Sequence, residues 1–416
     1  MKIKALPLVT VVFIALLLAG PQRTLAQCST RYIDSIFGQV DTTFNVIYTT
    51  TAGGGTQTLL LDVYTPHGDT ATNRKLIVWA HGGAFFEGTK NDNDMQFLCT
   101  NFAHRGYVCA SINYRLVSSV VLLYDSTTAF KTIDAAVNDM KASIRYFRKN
   151  AADSGNTYRI DTTQIYSGGC SAGAIMVDFA TTIDSVGETP PYYQAIMDSN
   201  GGYEGNSGNL GYSSRVVATA SLAGGISNPD WIGPGNPPTF YAQGTADPII
   251  PYECGAVFDG YTGGLVPGLF RLCGSAVLEP QMASLQIPTG LQPFPGAGHV
   301  PWDSNQGMMN EVDSALAIFF YTLTCPLPTG IPNVPDAEIN VYPNPSTGQI
   351  HISAGGGNEL SSIALSDITG RQILKQMVSG TQVDVSFPAI SAGVYTLQMQ
   401  LKQEGVSPVT KKIVIE

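Results

Sequence analysis

Short apolar runs alternate with helical patterns along residues 27–325. Six of the runs have the length of strands, and they lie at 57–64, 75–80, 107–114, 164–167, 216–222 and 239–243. Residues 130–149 and 308–323 carry apolar side chains at helical spacing. Because strands and helices alternate in this order, we predict an α/β fold in which a mostly parallel sheet is covered by helices on both faces.

The pattern changes after residue 325. Residues 326–337 contain four prolines, which predicts a stiff linker. From residue 338 to 416, about seven strand-like runs are separated by Gly, Asn, Asp or Ser turns, which predicts a small all-β sandwich. We therefore expect a large domain at 27–325 and a small one at 338–416.

Residues 1–26 predict export. Lys2 and Lys4 precede an apolar run of about a dozen residues, and a small-x-small site ends at Ala26, which is typical of a secretory signal peptide. The run is shorter than the roughly 20 residues that span a bilayer. We expect the mature chain to begin at Gln27 and to be soluble.

Composition and charge narrow the function classes. The chain has 416 residues, of which 44% are apolar and 13% charged, so disorder throughout is excluded. The formal net charge is −10. Nucleic acids and anionic membrane surfaces are bound through basic patches, so we expect no nucleic-acid partner.

The cysteine pattern predicts a disulfide and no metal centre. The chain has 7 cysteines, an odd number, so at least one is unpaired or pairs with another chain. Cys254 and Cys273 flank a Gly-rich loop and are the pair we predict. No Cys/His cluster with zinc-ligand spacing is present, and we expect neither a metal nor an organic cofactor.

The sequence Gly169-Cys170-Ser171-Ala172-Gly173 has the form G-x-S-x-G. In a chain with 44 glycines the pattern alone is weak, but here it follows the strand 164–167 and opens a helical run. That context predicts a sharp turn that exposes Ser171 Oγ at a helix N-terminus, so Ser171 is the candidate nucleophile. Cys170 is interpreted as a buried, inert thiol.

A Gly-rich loop follows the strand 75–80. It reads His81-Gly82-Gly83-Ala84, and its small residues allow the backbone to approach a substrate closely. We predict that the N–H groups of Gly83, Ala84 and Ala172 form an oxyanion hole. His81 is interpreted as a residue that orders this loop rather than as a base.

His299 is the candidate general base, because it is the only histidine between Ser171 and the linker and it lies in a flexible loop. The carboxylate that orients it should follow a strand between Ser171 and His299. Asp247 fits this position, and Asp230, in an earlier Pro-rich loop, is the alternative. The order Ser, Asp, His is typical of one hydrolase fold.

Apolar residues beside these loops predict an acyl pocket, although a role as core residues is equally open for each of them. They are Phe85, Phe86, Ile249, Tyr252 and Trp302. The acidic run 91–94 is interpreted as a solvated turn with a helix cap, and residues 184–214 as a cap or loop over the cleft.

With these motifs, residues 50–323 resemble the α/β-hydrolase fold, in particular carboxylesterase-like members that pair an HGG-type loop with a G-x-S-A-G elbow. The resemblance matches Ser171, Asp247 and His299 to the catalytic triad. It matches Gly83, Ala84 and Ala172 to the oxyanion donors. It implies a serine esterase and leaves the substrate open.

Residues 338–416 suggest a binding module or a targeting domain when only their strands are considered. Four ordered motifs resemble a type IX secretion sorting domain, and they lie at 341–348, 365–371, 393–397 and 411–415. The resemblance implies contact with an outer-membrane secretion machinery. It also implies export across both membranes of a Gram-negative bacterium, to the cell surface or the medium.

Together these features predict a secreted serine esterase that hydrolyses small-molecule or polymer-borne carboxylic esters through an acyl-enzyme. A serine peptidase of the same fold and a lipase or polyester hydrolase remain alternatives. A non-catalytic binding protein on a hydrolase scaffold is a further alternative, against which the complete triad argues.

Overall fold

A computed structural model describes most of the chain beyond the N-terminal segment. The described residues are 30–51, 57–119, 125–183, 189–263, 270–325, 339–355, 357–367, 372–387, 390–402 and 409–416. The chain divides into two compact units between Cys325 and Pro326. The predicted signal peptide and Pro-rich linker lie outside the described residues.

The first unit contains ten strands and seven helices in its described part. The strands are β1 Val40–Thr51, β2 Gln57–Pro66, β3 Arg74–Ala80, β4 Val108–Ile112, β5 Ile160–Cys170, β6 Thr219–Leu222, β7 Thr239–Gly244, β8 Cys254–Ala256, β9 Arg271–Cys273 and β10 Thr289–Phe294. The helices are α1 Asn93–His104, α2 Ser126–Asp153, α3 Ala172–Thr182, α4 Pro191–Ser199, α5 Asp259–Thr262, α6 Ser275–Ser284 and α7 Gln306–Thr324.

Eight of these strands form one sheet in the order β1-β2-β4-β3-β5-β6-β7-β10. The pairs from β4 to β10 are parallel, whereas β1–β2 and β2–β4 are antiparallel. The predicted mostly parallel sheet is confirmed. In a parallel sheet the carboxyl ends of the strands share one edge, so the loops after β3, β5, β7 and β10 lie together.

Strand β3 shows how the sheet separates two apolar cores. Leu76 and Val78 belong to one core cluster, and Ile77 and Trp79 belong to the other. Successive side chains of a strand point to opposite faces, and a strand covered on both faces is apolar throughout. Helices α2 and α3 cover the first face, and α1 and α7 cover the second.

The sequence analysis did not predict the two edge strands of the sheet, β1 and β10. Strand β1 is largely exposed and mixes polar with apolar residues, so no periodic signal marks it. Strand β10 contains Pro293, which a central strand does not tolerate because proline cannot donate to the ladder. At the sheet edge β10 pairs only with β7, so this proline is accommodated.

The stretch 189–214 does not form the expected cap, because none of its residues lines the two cavities that the described chain has at the carboxyl edge of the sheet. It packs on α2 instead. Buried charged side chains of α2 find partners there: Lys141 donates to the Tyr203 carbonyl, and Asp139 accepts from Ser207 Oγ at 2.6 Å. The need to pair these buried charges holds the segment on the helix. The remaining expected cap residues, 184–188, lie outside the described chain.

The predicted disulfide between Cys254 and Cys273 is confirmed and joins β8 to β9. Cys99, Cys109 and Cys170 are free and buried. Among the described helices, none combines the length and the hydropathy that crossing a membrane requires.

The second unit is all-β in its described part. Its seven strands are β11 Ile339–Tyr342, β12 Gln349–Ala354, β13 Leu360–Asp367, β14 Gln372–Gly380, β15 Gln382–Ser386, β16 Gly393–Leu401 and β17 Val409–Ile415. They form a three-stranded and a four-stranded antiparallel sheet. Alternate side chains, such as Ile350 and Ile352 of β12, enter one apolar core, so the predicted strand pattern is confirmed.

One buried carboxyl group links the first unit's sheet to α3. Asp178 is 3% exposed and accepts a hydrogen bond from Ser221 Oγ at 2.7 Å. Burial raises the pKa of Asp178 to about 7, because the apolar surroundings disfavour the charged form. The folded protein therefore keeps this carboxyl protonated in weak acid.

Replacing Asp178 with Asn should remove a pH-dependent part of the stability. Between about pH 4 and pH 7 the wild-type folded state holds a proton that the unfolded chain has released, so the wild-type stability falls as the pH rises through this window. Relative to the wild type, D178N should gain free energy of unfolding from pH 5 to pH 8 in urea titrations. A difference between the two proteins that is the same at both pH values would contradict this.

Candidate active site

The turn between β5 and α3 holds Ser171 in a strained conformation. Its backbone has φ 53° and ψ −115°, a region that residues with a side chain rarely adopt. The Ser171 N–H donates to the Leu222 carbonyl of the neighbouring strand at 2.8 Å, which fixes the turn. Strain of this kind persists only when the surroundings enforce it, and it is concentrated at functional sites.

The two glycines of the elbow are required by close packing. A Cβ at Gly173 would lie 2.2 Å from the carbonyl oxygen of Ala80, and a Cβ at Gly169 would lie 2.3 Å from the Gly173 backbone. Strand β5 and helix α3 therefore meet at backbone distance beside β3. This contact places the start of α3 next to the Gly-rich loop that follows β3.

His299 connects Ser171 to Asp247. Its Nδ1 lies 2.7 Å from Asp247 Oδ2, and its Nε2 lies 2.8 Å from Ser171 Oγ. An ionised carboxylate can only accept, so Nδ1 carries the imidazole proton and Nε2 is left to accept the serine O–H. The structure thus brings the three predicted residues into one hydrogen-bonded chain.

Asp247 is held by the turn after β7. Its side chain is fully buried, and its Oδ1 accepts from the N–H groups of Ile249 and Ile250 at 2.9 and 3.0 Å. The second oxygen is thereby directed at His299. Asp230, the alternative, is exposed in a short 3₁₀ turn, where it is not hydrogen-bonded to His299.

The loop after β3 approaches Ser171 closely. A Cβ at Gly82 would lie 3.3 Å from Ser171 Cβ, and Gly83 has φ +104°, which favours glycine. The Gly83 carbonyl accepts from the N–H groups of Phe86 and Glu87, both at 2.9 Å. Among the described residues, the N–H groups of Gly83 and Ala84 have no backbone acceptor.

Contacts of His81 order the same loop. Its ring stacks on Tyr114, with 4.3 Å between centroids, and its Nδ1 lies 2.7 Å from the Gly82 carbonyl oxygen. The Tyr114 hydroxyl donates to the His81 carbonyl at 2.9 Å. Burial lowers the pKa of His81, so the ring is neutral at pH 7. These contacts agree with the ordering role that the sequence predicts for His81.

A narrow apolar cavity opens on one side of Ser171. Its volume is about 40 Å³. The lining consists of Ala84, Phe85, Ala129, Ile133, Ser171, Ala172, Ile175, Ile249, Ile250, Val257, Phe258 and Phe270. Because its lining is almost entirely apolar, this cavity favours a small apolar group next to the serine.

A wide polar cavity of about 940 Å³ opens on the other side of Ser171. Asp92, Asp94 and Asp303 line it together with His299, and no Lys or Arg lines it in the described part of the chain. Burial, together with the charge of Asp303, raises the pKa of Asp94 to about 6. Burial also raises the pKa of Asp303. This side of the site is therefore acidic.

The sequence interpretation missed this acidic wall. Asp92 occupies the N-cap position of α1, but its side chain accepts from the Thr89 N–H and makes no cap hydrogen bond to the helix. Residues 91–94 line the cavity, and Asn91 and Asn93 are exposed there. The predicted turn is therefore solvated, and only the predicted cap hydrogen bond is wrong. Asp303 lies four residues after His299, and that proximity is the one sequence signal that could have identified it.

Cys170 is a poor alternative nucleophile. It is 2% exposed, and burial raises the pKa of its thiol well above the usual value, so the thiol stays protonated. Ser171 is the residue that contacts the imidazole.

The five predicted pocket residues occupy different places. Phe85 and Ile249 line the apolar cavity, whereas Trp302, which is 2% exposed, lines the polar one. Phe86 is 39% exposed, and neither it nor Tyr252 is among the described residues that line either cavity. Val257, Phe258 and Phe270 line the apolar cavity and were not predicted.

Two family models match the chain. Residues 61–208 match BD-FAE, a family of α/β-hydrolase esterases, and this range includes Gly83 and Ser171 but ends before Asp247 and His299. Residues 340–416 match the secretion system C-terminal sorting domain. This domain indicates type IX export to the cell surface or the extracellular space.

Among solved structures, the matches include esterase 2 of the planctomycete Thermogutta terrifontis. Its paraoxon-phosphorylated form has 19% sequence identity and a TM-score of 0.47, and the match covers 69% of this chain and 94% of that one. The propionate-bound form has 20% sequence identity and a TM-score of 0.48, and the match covers 69% of this chain and 96% of that one. No curated protein matches the chain. By these matches the chain carries an esterase-like α/β-hydrolase domain, in which residues 61–208 are similar to the BD-FAE family, followed by a secretion system C-terminal sorting domain.

Proposed function

We propose that the protein is an exported serine esterase that hydrolyses carboxylic esters through an acyl-enzyme. Ser171 is the nucleophile, His299 the general base and then acid, and Asp247 the residue that orients His299. The observation that carries this proposal is the hydrogen-bonded chain from Asp247 through His299 to Ser171 Oγ, with distances of 2.7 and 2.8 Å.

In the first step Ser171 Oγ attacks the ester carbonyl while His299 Nε2 takes the serine proton. The N–H groups of Gly83, Ala84 and Ala172 donate to the developing oxyanion, and each such donor stabilises the transition state by about 3 kcal/mol. Collapse of the tetrahedral intermediate expels the alcohol, which receives the proton from His299. Water then attacks the acyl-enzyme by the same route and releases the acid.

The two cavities beside Ser171 favour different halves of an ester. The narrow apolar cavity suits the acyl group, and the wide polar cavity suits the alcohol. Because Asp92, Asp94 and Asp303 line the wide side, we infer that neutral or cationic alcohols are preferred to anionic ones. The narrow acyl side disfavours the long chains that a lipase would accept.

Replacing Ser171 with Ala should reduce kcat/KM for p-nitrophenyl acetate by at least about a thousandfold, because the acyl-enzyme can no longer form. Labelling by a fluorophosphonate probe should be lost as well. The neighbouring variant Cys170→Ala is the matched control and should keep both. Near-normal turnover by S171A would exclude Ser171 as the nucleophile.

Cleavage of peptide amides in preference to esters by the wild-type protein would favour the peptidase alternative.

Replacing Asp247 with Asn should lower kcat by about a thousandfold or more, because Asn can donate to His299 and stabilise the wrong tautomer. Asp230→Asn provides the comparison, since Asp230 is exposed and outside the hydrogen-bonded chain. Steady-state hydrolysis of p-nitrophenyl acetate distinguishes the two variants. Equal losses in both, or a loss only in D230N, would remove Asp247 from the proposed triad.

We also propose a separate role for each of four segments of the chain. Residues 1–26 serve export through the inner membrane, 27–325 form the catalytic domain, 326–337 link the two domains, and 338–416 address the protein to the outer-membrane machinery. The proposal is supported by the sorting-domain match at 340–416 and by the division into compact units after Cys325.

Deleting residues 338–416 should leave ester hydrolysis intact and abolish export, because every predicted catalytic residue lies in the first unit. Purified truncated protein is assayed with p-nitrophenyl acetate, and its location is followed by cell fractionation in a host that has type IX secretion. A truncated protein that is folded but inactive would instead favour a binding module that supports catalysis.

A further inference from the structure

One excursion of the chain supplies five of the residues that line the apolar cavity. It leaves the sheet after β7 and ends at the start of α6, and its lining residues are Ile249, Ile250, Val257, Phe258 and Phe270. We refer to residues 249–258 and 270–273 as the cross-linked wall. The remaining lining residues belong to the Gly-rich loop, α2, the elbow and the first turn of α3, which are fixed by the sheet and the helices packed on it.

The disulfide joins the two segments of the cross-linked wall. Cys254 and Cys273 are directly paired in the β8–β9 ladder, and the ladder continues to a hydrogen bond from the Val257 N–H to the Phe270 carbonyl at 2.9 Å. Cys273 is also fastened to the core, because it exchanges backbone hydrogen bonds with Ile226 at 2.8 and 3.2 Å. Neither cysteine lines the cavity. The disulfide therefore affects the cavity by positioning the wall residues and not by contacting a bound group.

Gln243 anchors both ends of the excursion. Its side chain is fully buried, its Nε2 donates to the Ile250 carbonyl at 2.9 Å, and its Oε1 accepts from the N–H and hydroxyl groups of Ser275. Phe258 is held in the left-handed region at φ 60°, and its N–H donates to the Ile249 carbonyl at 2.7 Å. The surroundings therefore impose this strained backbone at the cavity lining.

The wall packs against the helices on the other side of the cavity. The Phe270 ring lies 5.1 Å from the Phe130 ring of α2 and 6.5 Å from the Phe179 ring of α3, measured between centroids. The cavity is thus bounded by α2 and the elbow on one side and by the wall on the other. Its volume of about 40 Å³ depends on how closely the wall is held.

We propose that the cross-linked wall sets the length of the acyl group that the enzyme accepts. The Cys254–Cys273 bond holds Phe258 and Phe270 close to α2, so only short acyl chains fit beside Ser171. Without the bond the wall can move outward and admit longer chains. This inference rests on the proposed esterase function and specifies its acyl specificity.

The test compares acyl lengths in the full-length protein. The double variant Cys254→Ser/Cys273→Ser should raise the ratio of kcat/KM for p-nitrophenyl octanoate to that for p-nitrophenyl acetate by at least about tenfold, a size typical of changes in an apolar pocket. The increase should appear mainly as a lower KM for octanoate. Tyr261→Ala is the matched control, because Tyr261 lies on the same excursion but is 71% exposed, and its ratio should equal that of the wild type.

A second pair of variants keeps the disulfide intact. Phe258→Ala should raise the octanoate-to-acetate ratio, and Phe258→Trp should lower it, because one empties and the other fills the cavity. Ratios unchanged in these variants and in the double variant would overturn the inference. If Phe258 alters the ratio but a folded double variant does not, the role of the disulfide is overturned.

Fluorophosphonate labelling of each protein separates this outcome from failure of the proposed function. A wild-type protein that is neither labelled at Ser171 nor active on any ester contradicts the esterase proposal. A labelled, active protein with an unchanged ratio contradicts only the role of the wall.

Discussion

The hydrogen bond between His299 Nδ1 and Asp247 Oδ2, at 2.7 Å, joins two loops that the sequence separates by 52 residues. It can form only because β7 and β10 are parallel neighbours that end at the same edge of the sheet. The elbow after β5 lies at that edge as well, so Ser171 Oγ reaches the other imidazole nitrogen. The register of the parallel sheet is thus the constraint on which the whole site depends.

Ser171 lies between two environments of different polarity. The apolar side is narrow and is closed by a disulfide-bonded excursion, whereas the other side is wide and acidic. The same excursion carries Asp247, so the carboxylate hydrogen-bonded to the imidazole and part of the lining of the apolar cavity belong to one loop.

The fold was predictable where local pattern and burial agree. Strand β3 is apolar throughout because it is covered on both faces, and that signal is visible in the sequence. Strand β1 and strand β10 were not predicted, because edge strands have one exposed side and tolerate polar residues or proline. The stretch 189–214 was expected over the cleft, but buried charges of α2, such as Lys141, hold its described part elsewhere.

The sequence by itself determined the elbow, the Gly-rich loop, the candidate residues Ser171, Asp247 and His299, and the sorting motifs, since each depends on short-range chemistry at fixed spacing. The tertiary structure alone decided which carboxylate meets His299, that Asp94 and Asp303 share a cavity, and that Phe258 and Phe270 line the apolar cavity beside Ser171. The physical reason is that these contacts join residues from distant segments. Their distances are set by how strands and helices pack, and no local pattern in the chain encodes them.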